Sequence, residues 1–227
     1  MVPVIEYGVN RVFLLSPAKS GGKRAELIFN PRAGFDLARR LQRGKVAPIS
    51  EIFTFLSGLY FRGKIGYARS FARPPRGSPG VLVITTNRGL IDAETPLSLE
   101  ELAAFATVEI DYADPRYRGP LERDARKLAK RLGKRGDAVL LGSIGTKKYV
   151  DVLVAALGER LKFPLEFVGR GDMSRGGLLL RQAVAGEELE YARVIGAVRR
   201  GKRPPRLEPR SWAGTPYAFS SRKEEGL

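Results

Sequence analysis

Three short apolar runs constrain the fold more than any other feature of the chain. They are Val12-Phe13-Leu14-Leu15, Val81-Leu82-Val83-Ile84-Thr85-Thr86 and Ala138-Val139-Leu140-Leu141. A strand with one wet face alternates apolar and polar residues. A strand of continuous Val, Leu and Ile needs cover on both faces, which helices supply around a parallel sheet. Helical patterns fall between these runs. Phe35 to Leu41 has helical spacing, and Ile49 to Phe71 reads as helix broken near Gly58 or Gly63. Ser98 and Glu101 have capping-box spacing before a helix through Phe105, Leu121 to Leu132 is a strongly basic helix, and another helix runs from about Thr146 to Leu157. Strands alternating with helices predict an α/β fold with a central, mostly parallel sheet flanked by helices.

Five further strands are predicted. Ala25 to Phe29 follows a polar Ser-Gly-Gly-Lys turn, Val108 to Tyr112 alternates, and Leu165 to Val168 is a short apolar run. Leu178 to Leu180 and Tyr191 to Ile195 read as an antiparallel hairpin across Ala185 to Glu188, near the C-terminus. Arg73 to Gly80 is a loop on composition. With 227 residues, 43% of them hydrophobic, the chain is expected to form one domain over 1–210, followed by a flexible tail over 211–227. The start lacks the pattern of a signal peptide and no run approaches about 18 apolar residues, so the expectation is a cytoplasmic protein without a membrane partner.

The chain has no cysteine and no histidine. This excludes disulfides, Cys/His zinc sites, iron–sulfur clusters and every catalytic triad that depends on an imidazole. No dense acidic cluster invites a hard metal, and no metal or other cofactor is expected. Forty Lys and Arg against 24 Asp and Glu give a net charge of +16. The excess is divided: residues 1–80 carry +10, 81–120 carry −4, 121–165 carry +6, 166–192 carry −2 and 193–227 carry +6. Alternating blocks imply separate positive faces, which suit a polyanion through counterion release.

Several stretches combine cations, glycines and polar groups. Glu166-Phe-Val-Gly-Arg-Gly-Asp-Met-Ser-Arg-Gly-Gly-Leu178 brackets Arg170, Asp172, Ser174 and Arg175 with glycines. Its arginines can fork onto phosphate, and Asp172 between them stays ionised as a candidate catalytic carboxylate. Gly142-Ser143-Ile144-Gly145-Thr146-Lys147 is a strand-to-helix turn whose backbone N–H groups favour an anion, with Ser143 and Lys147 as binding candidates. Asn87 and Arg88, leaving a strand, can meet a base edge and a phosphate. If the strands before these two loops are parallel neighbours, both loops open on one edge. Lys19, Lys23 and Arg24 cluster around Gly21 and Gly22, with Lys19 a candidate buried functional amine. Tyr60, Arg62, Lys64 and Tyr67 interleave stacking faces with cations, a pattern suited to single-stranded nucleic acid. The basic helix over 121–135 and the tract from Arg199 to Arg206 are candidate phosphate contacts.

Leu15-Ser16-Pro17-Ala18-Lys19 resembles the opening motif of the YaaA peroxide-stress family. Val83-Ile84-Thr85-Thr86-Asn87-Arg88-Gly89-Leu90-Ile91 and the segment Gly142-Ser143 to Lys148-Tyr149 resemble later segments of that family, in the same order. The likeness is scattered over roughly residues 11–155, and 165–210 have no counterpart. The Thr-Thr-Asn-Arg-Gly-Leu region is also similar, more loosely, to the glycosylase-like accessory domain of archaeosine synthases. The resemblance implies an α/β protein that binds DNA and protects against oxidative damage, with Lys19 and the Asn87-Arg88 loop as site candidates.

Together these features point to a nucleic-acid-binding protein, with DNA in preference to RNA as partner. The sequence leaves open whether it also processes a base or an N-glycosidic bond, for which Asp172 and Lys19 are the catalytic candidates. A small-molecule or nucleotide-binding enzyme with an incidental basic surface and a non-catalytic architectural DNA-binding protein are the competing classes.

Overall fold

The computed structural model describes residues 9–145, 147–198 and 201–208. The chain opens with β1 (Arg11–Leu15), α1 (Lys23–Phe29), α2 (Asp36–Gln42), β2 (Ala47–Pro48), α3 (Ile49–Ser57) and α4 (Leu59–Phe71). There follow β3 (Val81–Ile84), β4 (Leu90–Asp92), β5 (Pro96–Leu97), α5 (Leu99–Ala106) and α6 (Pro115–Leu132). The last elements are β6 (Asp137–Leu141), α7 (Lys147–Leu157), β7 (Leu161–Pro164), α8 (Asp172–Ala185) and β8 (Tyr191–Arg193), with single 3-10 turns at Gly158–Arg160 and Leu165–Phe167. The protein is α/β.

The three apolar runs become the middle of one six-stranded sheet, ordered β4-β3-β1-β6-β7-β8. β1 lies between β3 and β6 and is parallel to both, and β6 is parallel to β7. β4 and β8 close the two edges as antiparallel strands. Every residue of β3 and β6 is buried, as the unbroken apolar runs require of strands covered on both faces. β2 and β5 form a separate two-residue antiparallel pair. The closest helix pairs are α4 with α8 and α6 with α7. Right-handed crossovers from β1 to β3 and from β6 to β7 run in opposite directions along the sheet, so they place these two layers on opposite faces.

Local chemistry sets the boundaries. Gly58, at φ +61°, separates α3 from α4, a conformation that an L side chain rarely adopts. Ser98 and Glu101 form the full capping box at the start of α5. Asp114 caps α6, accepting the Arg116 N–H at 2.9 Å. Tyr67 of α4 ties the C-terminal segment to the core. Its hydroxyl lies 2.7 Å from that of Tyr191 and accepts the Leu189 N–H at 2.7 Å.

Four local expectations are corrected. Residues 25–29 belong to a helix, because Ala25 and Ile28 are buried while Glu26 and Leu27 face outward, a helical rather than an alternating pattern. Residues 108–112 form no strand; only Val108 is buried, and the Asp111 carboxylate accepts the Ala113 N–H in a turn leading to α6. The strand near 165 lies earlier, at Leu161–Pro164, with Pro164 at its last position, beyond Leu161 and Lys162, which pair with β6. Leu178 to Leu180 lie inside α8. An antiparallel pair near the C-terminus exists, but β8 pairs with β7.

Candidate functional site

From β1 the chain crosses to β3 on one side, and from β6 it crosses to β7 on the other. The loops leaving the carboxyl ends of β1 and β6 therefore diverge, and the crevice between them is where open α/β sheets bind ligands. β3 and β6 are not neighbours, since β1 separates them, yet all three release their loops on the same edge. Ser16 is the first residue after β1, and its N–H donates to Leu141 O at the end of β6. Gly142 follows there. A Cβ at that position would lie 2.8 Å from Ser16 Cβ and 2.9 Å from the Tyr149 hydroxyl, so only glycine lets the two loops pass this closely.

Lys64 rises from α4 into this crevice with 1% of its surface exposed. Its Nζ donates to the Ser16 carbonyl at 2.6 Å and lies 3.0 Å from Ser16 Oγ. The rings of Tyr60 and Phe61 enclose it, at 4.5 and 4.7 Å. Burial dominates its electrostatics. It pulls the amine from its ordinary value down to about 7; the Asp172 carboxylate works against this shift and the Arg175 guanidinium with it. The Tyr149 hydroxyl, from α7, accepts the Ser143 N–H at 3.0 Å and sits beside the Ser16 hydroxyl. Burial raises the Tyr149 phenol above its usual range.

Helix α8 closes the site from above. It crosses α4 where Gly63 meets Gly176: a Cβ on Gly63 would lie 2.5 Å from Gly176 O, and one on Gly176 2.8 Å from Leu59 O. This approach brings the first turn of α8 over Tyr60 and Lys64. Arg175 is nearly covered; its Nε and NH2 donate to Phe167 O at 3.3 and 3.0 Å, and its guanidinium lies over the Phe167 ring. Asp172, 3.6 Å from Arg175, is 68% exposed at the mouth. The Tyr60 hydroxyl is buried, makes no hydrogen bond of ordinary geometry, and feels the charges of Arg175 and Asp172. Burial drives that phenol well above its ordinary value.

Beside this cluster opens a cleft of about 660 Å³, lined by Pro17 to Gly21, Thr86, Phe105, Ala106, Val108 to Ile110 and Lys148. It adjoins the cluster twice, since Pro17 follows Ser16 and Lys148 precedes Tyr149. Lys19 and Lys148 are exposed on its wall. A second groove of about 340 Å³ lies between α8 and residues 203–208, with Arg170, Arg181, Arg203 and Arg206 along it.

The structure thus gathers Ser16, Lys64, Tyr149, Tyr60, Asp172 and Arg175, and redistributes the residues picked from sequence. The buried amine is Lys64, whereas Lys19 is exposed because the loop after Ser16 runs along the cleft wall. Tyr60 and Lys64, expected to present a stacking face and a phosphate-gripping cation, are interior because both lie on the stripe of α4 that faces the sheet and α8. Arg62 is half-buried, and that burial lowers its pKa. Asn87 Nδ2 donates to Ala104 O at 3.0 Å and Arg88 pairs with Glu101 at 2.7 Å, so both brace α5. Lys23 and Arg24 are exposed on α1, and Arg24 donates to Phe55 O. Arg170 donates to Ser174 Oγ at 3.2 Å and faces the second groove. Lys147 opens α7. The Lys147 side chain, Thr146, Arg199, Arg200 and the proposed tail lie outside the described residues.

Sequence reasoning missed Ser16, Tyr149 and the interior role of Lys64. The signal for Lys64 was present: Tyr60, Gly63, Lys64, Tyr67 and Phe71 recur at helical spacing, which puts the lysine on the buried stripe.

Among the described residues no group of three or more carboxylates could hold a metal ion, and no helix is long and apolar enough to cross a membrane. Compared with known proteins, the chain matches no family model, no curated protein and no solved structure.

Proposed function

We propose that the protein binds nucleic acid, DNA in preference to RNA, along the carboxyl edge of its sheet and seats one nucleotide unit beside Ser16 and Lys64. The observation that carries this reading is the 660 Å³ cleft, walled by the exposed ammonium groups of Lys19 and Lys148 and lined by Pro17 and Lys148, the chain neighbours of Ser16 and Tyr149 in the buried cluster. The cleft is large enough for a nucleotide, and the cations on its rim complement a phosphate backbone. The net charge of +16 and the arginine-lined groove beside α8 favour a polymer over a free nucleotide. Pro17 to Lys19 of the YaaA-like segment line the cleft, which supports DNA as the partner and a role in the response to DNA damage.

The test is fluorescence anisotropy with one short sequence, prepared as single-stranded DNA, duplex DNA and RNA, across a salt series. Binding whose logarithm falls linearly with the logarithm of salt concentration, tightest for DNA, supports the reading. Absence of binding at low salt overturns it. Equal affinity for a mononucleotide replaces it with the small-molecule class.

A further inference from the structure

We infer that Ser16 is a nucleophile and Lys64 its general base, and that the pair carries phosphoester transfer on the nucleotide unit held in the cleft. The inference rests on the nucleic-acid reading only for the identity of the substrate; the pair itself stands on geometry.

A serine hydroxyl is unreactive until a base takes its proton, and this chain has no histidine to do so. Lysine performs that role where it is kept neutral, which requires a dry enclosure and a fixed contact with the serine. Lys64 meets both conditions: it is sealed between two aromatic rings, and its Nζ is 3.0 Å from Ser16 Oγ. One amine hydrogen is committed to the Ser16 carbonyl, which leaves the neutral amine a position for its lone pair facing the hydroxyl. The lysine is too deeply enclosed to meet substrate. Ser16 retains 8% exposure and precedes the cleft-lining Pro17, so the serine is the group that reaches the reacting atom. Burial brings the amine to about 7, so it is neutral in much of the protein at slightly alkaline pH.

The chemistry balances without a further reactant except water. Ser16 Oγ attacks phosphorus as its proton passes to Lys64. The bond from phosphorus to the leaving oxygen breaks, and that oxygen keeps the electron pair and takes a proton from solvent. Water then attacks the seryl phosphodiester, losing its proton to solvent, and Ser16 Oγ departs with the proton that Lys64 held, which leaves the amine neutral again. Arg175, at the first turn of α8, is the second cation of the cluster and acts electrostatically on Lys64, Tyr60 and Tyr149.

The test uses the full chain and the p-nitrophenyl ester of thymidine 5′-phosphate, a nucleotide with an activated leaving group. The expected result is a burst of about one nitrophenolate per chain, together with a thymidylyl adduct on the Ser16 peptide by mass spectrometry. Ser16→Ala abolishes both. Lys64→Met, if folded by circular dichroism, slows the burst by roughly 100-fold or more. Wild-type protein provides a check that needs no variant: the burst rate rises through the titration of an amine near pH 7 and levels above it. No adduct on Ser16 between about pH 6 and about pH 9 overturns the inference even if DNA binds. An adduct without DNA binding leaves the pair standing and removes the proposed polymer partner.

Discussion

Lys64 Nζ lies 2.6 Å from the carbonyl oxygen of Ser16, a residue 48 positions earlier in the chain, and 3.0 Å from its hydroxyl. The contact joins the fourth helix to the end of the central strand, so its protonation state is coupled to the fold as a whole.

Stability depends on pH through that coupling. In the unfolded chain Lys64 binds its proton up to about 10.5, whereas in the folded protein it releases it at about 7. Between these values the unfolded state holds more protons, so stability rises with pH. The opposite holds above about 10 for Tyr67, whose phenol is raised by burial to about 12 in the fold, and for Tyr60 and Tyr117, which burial raises further. Chemical denaturation over a pH series is expected to show stability climbing from about pH 7, with a slope of at most roughly 1.4 kcal/mol for each step of one in pH, and falling above about pH 10. Lys64→Met flattens the climb and leaves the fall.

The crossing of α4 and α8 tolerates no side chain. Alanine is a better helix former than glycine by about 1 kcal/mol, yet a Cβ at Gly63 would meet Gly176 backbone at 2.5 Å. Gly63→Ala is expected to lower stability by roughly 1–3 kcal/mol and to reduce the nitrophenolate burst by moving Arg175 off Lys64. Thermal melting and the burst assay together check this.

Asp172 and Arg175 pull the amine in opposite directions. Asp172→Asn removes a carboxylate that favours the ammonium form, so the burst profile moves to lower pH while turnover persists. Arg175→Gln moves it to higher pH. A rate profile for each variant gives the sign directly, and loss of turnover in Asp172→Asn would instead make that carboxylate a reacting group.

Lys19 and Lys148 flank the cleft and are exposed. Replacing either by alanine is expected to weaken DNA binding across all sequences and to reduce the salt slope by about one, with melting temperature unchanged. Asn87→Ala is the contrasting case. It removes a hydrogen bond to Ala104 O and is expected to cost about 1 kcal/mol of stability with little change in DNA affinity.

The central strands were legible because continuous apolar runs have one physical solution, and Ser98 with Glu101 announced α5 through a reciprocal pair of hydrogen bonds. Residues 25–29 and 178–180 were misread for a common reason: a run of a few apolar residues carries no period, and its neighbours decide. In α8 those neighbours were Gly176 and Gly177, which suggest a loop until the crossing helix that needs Gly176 is known. Lys64 was misjudged by its company, since Arg69 does reach solvent from the same helix. Ser16 was invisible for a different reason. A serine gains chemical meaning from the group opposite it, and that group arrives from a helix far along the chain.

The glycine-to-glycine crossing has a further consequence. Lys64 stays dry only while α8 rests on α4, so a transient opening of α8 admits water, restores the ordinary basicity of the amine and disarms the serine. Hydrogen exchange in α8 and the rate of Ser16 modification should then change together, which makes the lifetime of a single helix contact the clock of the whole site.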